Sequence, residues 1–126
     1  MTIKIQTQET YIPVQLGDLE LKFDVSDESV SIFRKEALEI QKELELVSVS
    51  EEYDEALEQT KSVLKKGFDT FFGDGTFEKV YDISPSVVIV MDYFSQITQA
   101  LEAEIRKMGY NPSAEEKARK YLANKK

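Results

Sequence analysis

The sequence predicts a mainly α, α+β fold, an N-terminal β-hairpin packed on about four helices, and three observations carry that prediction. Residues 12–25 alternate apolar and polar with period two around Gly17-Asp18. From Ser26 onward, apolar residues recur at helical spacing. Breakers at Gly73-Asp74-Gly75, Ser84-Pro85 and Gly109 then divide that stretch into separate helices. A chain of 126 residues fits one domain, read as a hairpin region over 1–25, a helical body over 26–108 and a short basic C-terminal helix over 109–126. Its 41% apolar content supplies a core without staples, since a chain of this size buries roughly two-thirds of its unfolded surface.

In the hairpin, a two-residue loop with glycine first suits a type II′ turn. The implied register pairs Leu16 with Leu19, Val14 with Leu21 and Ile12 with Phe23, so all six side chains share one face. Pro13 then falls opposite Lys22 in a non-hydrogen-bonded pair, where its missing N–H costs nothing inside the hairpin but blocks the outer edge. Thr2–Gln6, with Ile3 and Ile5 alternating, is a third candidate strand, and the blocked edge means that it joins elsewhere or pairs incompletely. A lone hairpin is marginal in water, so its apolar face must lie on the helices or on another subunit.

The first helix has Asp24 or Ser26 as its cap, Asp27 and Glu28 in its first turn, and a stripe of Val30, Phe33, Ala37, Ile40, Leu44 and Val47. After a break near 47–50, Ser50-Glu51-Glu52 opens a second helix with the stripe Tyr53, Leu57, Thr60, Leu64, Phe68 and Phe71. A short link makes the two an antiparallel helical hairpin. Thr76 begins a short helical turn through Tyr81, and Ser84-Pro85 reads as a cap followed by proline at the first helical position. The long helix to Met108 carries the stripe Val87, Val90, Met91, Phe94, Ile97, Leu101, Ile105 and Met108. Gly109 stops it, Asn111-Pro112 turns the chain, and Ser113-Ala114-Glu115-Glu116 is a capping box for the terminal helix.

Composition excludes much chemistry. With no Cys, no His and no Trp, Cys nucleophiles, the Ser-His-Asp constellation, and zinc or haem ligation by Cys or His are all ruled out. The sequence reading is of a non-enzyme with no cofactor, no metal and no small-molecule substrate. The longest apolar run, Val87–Met91, is far short of the ~20 residues of a membrane helix, and the N-terminus shows no signal-peptide pattern; the expectation is a cytoplasmic protein without a membrane partner.

The net charge of −8 is unevenly placed. Residues 24–58 hold 12 acids against 3 bases, whereas 106–126 hold 7 bases against 2 acids. This polarity fits two solvated helix faces and a soluble tail, or head-to-tail self-association, or capture of a basic partner. It argues against nucleic acid as the main partner, because the acidic segment repels a phosphate backbone.

Three candidate sites stand out. The carboxylates Glu51, Glu52, Asp54, Glu55 and Glu58 cluster on one helix start, but no apolar neighbour suggests the burial that acid/base work needs, and no partner motif suggests a di-metal site. Gly67–Thr76 lacks both the Lys-Ser/Thr of a phosphate loop and the alternating acids of a calcium loop, and reads as a helix stop. Val88, Ile89 and Tyr93 fall off the core stripe of the long helix. Either that helix is central and buried on both sides, or these three residues form an exposed patch that binds a partner helix or a second copy.

The order of features in IPVQLGDLELKFDVSDESV, the acidic helical pair, FDTFFGDGTFEKVYD and VVIVMDYFSQI resembles the small tail assembly chaperones of long-tailed phages and prophages of Gram-positive bacteria, over roughly Ile12 to Ile105. The resemblance implies a cytoplasmic protein that coats the tape-measure protein, keeps it soluble, helps recruit tail-tube subunits and is absent from the finished tail. It implies no binding motif transferable residue by residue; Val88, Ile89 and Tyr93 are the partner-binding residues that the helical pattern itself offers. In that family the gene often ends in a programmed frameshift that yields a longer second product, and Asn124-Lys125-Lys126 can be encoded by an A-rich slippery stretch or is an ordinary lysine tail. The alternative is another phage structural protein, such as a head-tail connector subunit.

Overall fold

The computed structural model describes residues 1–47 and 52–110. Strands β1 (Tyr11–Leu16) and β2 (Leu19–Asp24) pair antiparallel in the register expected, with Leu16 opposite Leu19, Val14 opposite Leu21 and Ile12 opposite Phe23. Gly17, at φ 60°, opens the turn, and Asp18 keeps a negative φ, the pattern of a type II′ loop. Leu21 and Phe23 are buried, and Ile12, Val14, Leu16 and Leu19 pack against the same core. Residues 1–9 form no third strand; Ile3 and Ile5 are 83% and 85% exposed. Pro13 faces its missing donor toward the free edge of β1, and two isoleucines bury too little to hold a strand elsewhere.

Helix α1 (Asp27–Val47) starts where Ser26 Oγ accepts the Ser29 N–H at 3.3 Å. Asp24 buttresses this cap rather than forming it, accepting the hydroxyls of Ser26 and Ser29. Those two hydrogen bonds, Ser29's first, hold its carboxyl below the usual range. Helix α2 (Tyr53–Phe72) runs antiparallel to α1: Phe33 meets Phe71 with ring centroids 4.9 Å apart, and Glu43 pairs with Lys66 at 3.4 Å. Val30, Phe33 and Ile40 are buried from α1, and Leu64, Gly67, Phe68 and Phe71 from α2. Tyr53, placed on the core stripe by its spacing, is 74% exposed, because the α2 stripe continues outward past the edge of the core. The expected Ser50 cap lies outside the described residues.

Helices α3 (Thr76–Ile83) and α4 (Val87–Lys107) complete the fold, with α2 at the centre against α1, α3, α4 and β2. The α4 cap is Ser86, whose Oγ accepts the Ile89 N–H at 3.4 Å, and not Ser84. Ser84 instead closes α3, its N–H donating to Val80 O at 3.1 Å, so Pro85 is left in the link before the cap. Val90, Phe94, Ile97, Leu101 and Ile105 are buried as the stripe predicts. Met91 and Met108 are not: at 36% and 49% exposure they flank the core rather than fill it. Gly109, at φ 103°, stops α4, and Tyr110 then ties this end to the start of α1 through its hydroxyl, which donates to Val25 O (3.0 Å) and Asp27 Oδ1 (2.9 Å). The predicted terminal helix lies outside the described residues.

Candidate functional site

The corner where α3 turns into α4 carries the off-stripe residues. At ~100° per residue, Val88 points ~140° from the centre of the buried face of α4, Ile89 ~120° and Tyr93 ~80°. Exposure follows that order: Val88 is 65% and Ile89 46% exposed, and Ile83 at the end of α3 adds a third apolar side chain at 52%. Tyr93 does not join them in solvent. It packs against the core, and its hydroxyl shares a 2.9 Å hydrogen bond with Ser84 Oγ, which makes it a strut across the corner. The N-terminal part of α4 is therefore not buried on both sides.

Asp69, a residue that spacing alone did not single out, sets the corner's base. Gly75 sits at φ 89° before α3 and has no side chain to cap it. Asp69 Oδ1, near the end of α2, accepts the Phe77 N–H at 3.1 Å instead, while Lys65 Nζ reaches Asp69 Oδ2 at 2.9 Å and Glu78 Oε1 at 2.6 Å. Burial works against ionisation of Asp69, but the hydrogen bonds from Lys65 and the Phe77 N–H outweigh it and hold its carboxyl below the usual range. Glu78 is lowered chiefly by Lys65, whose own ammonium is raised by Glu78 first and Asp69 second. The glycine-rich stretch thus does end a helix, as its sequence suggests, and it also hands the next helix a cap from eight residues away.

A second surface lies between α1 and α4. The Arg34–Glu102 ion pair (3.1 Å) joins the two helices at one end, and farther along both reach the same point of α2, with Ile40 and Phe94 against Gly67. They are thus antiparallel, and a groove of about 600 Å³ opens between them. Ala37, Leu38, Leu44 and Met91 supply apolar walls, and Arg34, Glu102 and Arg106 close one end. Leu38 is 50% exposed within it.

With the fold, corner and groove defined, one comparison is decisive: the model of a family of unknown function, DUF6673, matches residues 17–126. The chain belongs to the DUF6673 family. No curated protein and no solved structure matches it. The DUF6673 match runs from the hairpin turn onward and includes every residue of the corner and the groove.

In this DUF6673 chain the acidic set does not converge. Glu52, Asp54, Glu55 and Glu58 are exposed along the first turns of α2, Glu51 lies outside the described residues, and no group of three or more carboxylates among the described residues could hold a metal ion. Among the described residues no helix is long and apolar enough to cross a membrane. The corner presents Ile83, Val88 and Ile89 to solvent, and Asp69 and Glu78 at its base are held below the usual carboxylate range by Lys65.

Proposed function

We propose that this DUF6673 protein is a non-enzymatic tail assembly chaperone of a long-tailed phage or prophage. It acts in the host cytoplasm, binding the tape-measure protein, keeping it soluble while tail-tube subunits assemble, and leaving before the virion is complete. The observation that carries the reading is the exposure of Val88, Ile89 and Ile83 together at one corner. Stable folds leave single apolar side chains in water without consequence, but a group of them on one corner marks a contact surface. The resemblance over Ile12 to Ile105 supports the choice of partner: a tape-measure chain presents long apolar helices that aggregate unless covered. The corner provides the cover, and the acidic α1–α2 pair keeps the complex in solution.

The test is co-expression of the chain with the tape-measure protein of the same genome. Burying a Val or Ile side chain contributes ~1.5–3 kcal/mol, so Val88→Asp with Ile89→Asp weakens the complex by at least ~100-fold and the tape-measure protein precipitates. Both positions are exposed, so the fold itself shifts by less than ~0.5 kcal/mol per site. Undiminished co-purification by the folded double variant would overturn the role of the corner. Detection of the chain in finished virions would replace the chaperone reading with a connector subunit.

A further inference from the structure

The N-terminal arm, residues 1–9, and the outer edge of β2 fit one another between two copies of this chain. We propose that residues 2–6 pair antiparallel along the β2 edge of a second copy, with Lys4 opposite Glu20. Four observations lead there, and none depends on the assembly reading.

The first is pattern. Ile3 and Ile5 alternate with Thr2, Lys4 and Gln6, the period of a half-buried strand, yet both isoleucines stand in solvent at 83% and 85% exposure. The second is the state of the edges. The sheet has two strands, so β1 and β2 each keep one outer edge open among the described residues. Leu16 and Leu19 flank the turn as a hydrogen-bonded pair, and the Val25 N–H, donating to Thr10 O at 2.9 Å, keeps the same alternation at the far end. Glu20 and Lys22 therefore aim their N–H and C=O outward from β2. Tyr11, Pro13 and Gln15 do so from β1, where Pro13 brings no donor.

The third excludes the arm's own sheet. Any strand added to β1 would set Pro13 in a hydrogen-bonded position. A strand added to β2 of the same chain would need the link 7–10 to cross the chain that leaves that end of the sheet at Val25 for α1, and connections do not cross on one edge. Thr10 is still held by Val25. The four steps from Thr10 to Gln6 span at most ~14 Å, against ~10 Å for two strand spacings before any detour around that exit. A second copy imposes neither constraint. Two isoleucines alone are too few to hold a strand, but each copy gives an arm and offers an edge, so a reciprocal exchange buries four for one association.

The fourth is register. With Lys4 opposite Glu20, Ile3 lies by Leu21 and Ile5 by Leu19 on the face that carries the core, while Lys4 and Glu20 share the exposed face. Moving Lys4 to Lys22 would set like charges together. Moving it to Asp24 would carry Thr2 past the end of β2, to a carboxylate that already accepts the hydroxyls of Ser26 and Ser29.

The full chain contains no cysteine, so chains carrying only Lys4→Cys are mixed with chains carrying only Glu20→Cys. In a hydrogen-bonded antiparallel pair the Cα atoms stand ~5.5 Å apart, within the span of a disulfide. Mild oxidation is expected to give a covalent dimer with one chain of each kind, and much less of it when Lys22→Cys replaces Glu20→Cys. By light scattering the parent is expected to exceed the monomer mass at high concentration and to return to it on dilution. Ile3→Asp with Ile5→Asp is expected to stay monomeric with the unfolding midpoint of the diluted parent. No covalent dimer, or equal yields from the two mixtures, would overturn the proposal. So would assembly undiminished in the aspartate variant, which would assign self-association to another surface. A disulfide formed within single chains carrying both Lys4→Cys and Glu20→Cys, with none between chains, would return the strand to its own chain and overturn the exchange.

Discussion

Gly67 is where α2 comes closest to its neighbours, and changing it to alanine sets two opposed effects against each other. Alanine is the better helix former by ~1 kcal/mol in an exposed helix interior, and on that basis alone the variant would be more stable. A Cβ at Gly67 would stand 2.7 and 2.8 Å from Cζ and Cε1 of Phe94 and 3.1 Å from Cδ1 of Ile40. Carbon contacts settle at ~3.5–4.0 Å, so the Phe94 ring must retreat by nearly an ångström. It has little room: it is 5% exposed, edge-on to Phe68 at 5.1 Å and stacked on Phe71 at 5.9 Å. Overpacking of this kind costs ~1–3 kcal/mol. Gly67→Ala is therefore expected to lose about 1 kcal/mol net in urea unfolding, with m unchanged. The decisive comparison is the cycle with Phe94→Leu, which removes the ring atoms that the methyl would strike. Phe94→Leu should cost at least ~1 kcal/mol less in the Gly67→Ala background than in the parent. Simple additivity, or a Gly67→Ala chain more stable than the parent, would refute the close approach of α2 and α4.

Asp69→Asn removes the charge that Lys65 and the Phe77 N–H stabilise. Because the folded pKa of Asp69 is lowered, its contribution is present above the ordinary aspartate value of ~3.9 and disappears as pH falls through the folded value. The variant should lose about 1–2 kcal/mol at pH 7 and show a shallower decline of stability below pH ~4, measured by thermal unfolding across pH. An unchanged acid limb would show that Asp69 is not the carboxylate responsible. Tyr110→Phe deletes the hydroxyl that donates to Val25 O and Asp27 Oδ1, and should cost about 1 kcal/mol. Its amide-exchange signature is faster exchange at Met108–Tyr110 with no change in the middle of α2; protection equal to the parent's would contradict the tether.

What the sequence made legible was phase, and what it hid was reach. The hairpin register could be read because period-two alternation and a glycine-first turn leave one pairing that puts Ile12, Val14, Leu16, Leu19, Leu21 and Phe23 on one face. The middle of α4 could be read for the same reason, through Val90, Phe94, Ile97, Leu101 and Ile105. Tyr53, Met91 and Met108 keep the phase of their stripes, yet a stripe does not show where the neighbouring element stops, and all three are exposed. Val88 and Ile89 were visible as residues out of phase; that Tyr93 is a strut to Ser84 depends on a hydrogen bond across the corner that spacing does not encode. Gly67, Asp69 and Tyr110 act between elements, the last across more than eighty residues, and no local pattern records such partners. The groove depends on the angle at which α1 and α4 leave the common support of α2.

Topology also gives the charge asymmetry a meaning that the sequence total lacks. Because α1 runs antiparallel to both α2 and α4, the acids at the end of α1 and the start of α2 gather at one end of the molecule, and α4 begins toward that same end. Lys61 Nζ, 4.6 Å from the centre of the Tyr81 ring, places the end of α3 beside the first half of α2. The exposed Ile83, Val88 and Ile89 therefore stand on the acidic side, while Arg106, Lys107 and the tether of Tyr110 lie at the hairpin end. Helix dipoles account for only part of this placement. Asp54 and Glu55 in the first turn of α2 are favoured by the dipole by some 0.3–1 kcal/mol each, but Glu45 near the end of α1, where no base occupies the last turn, is on the disfavoured side. A partner whose apolar helix meets the corner enters a negative field, so basic residues flanking its apolar stripe raise its association rate and acidic ones lower it. On the proposed function, that field would select among equally apolar helices, which burial of Val88 and Ile89 alone would not do.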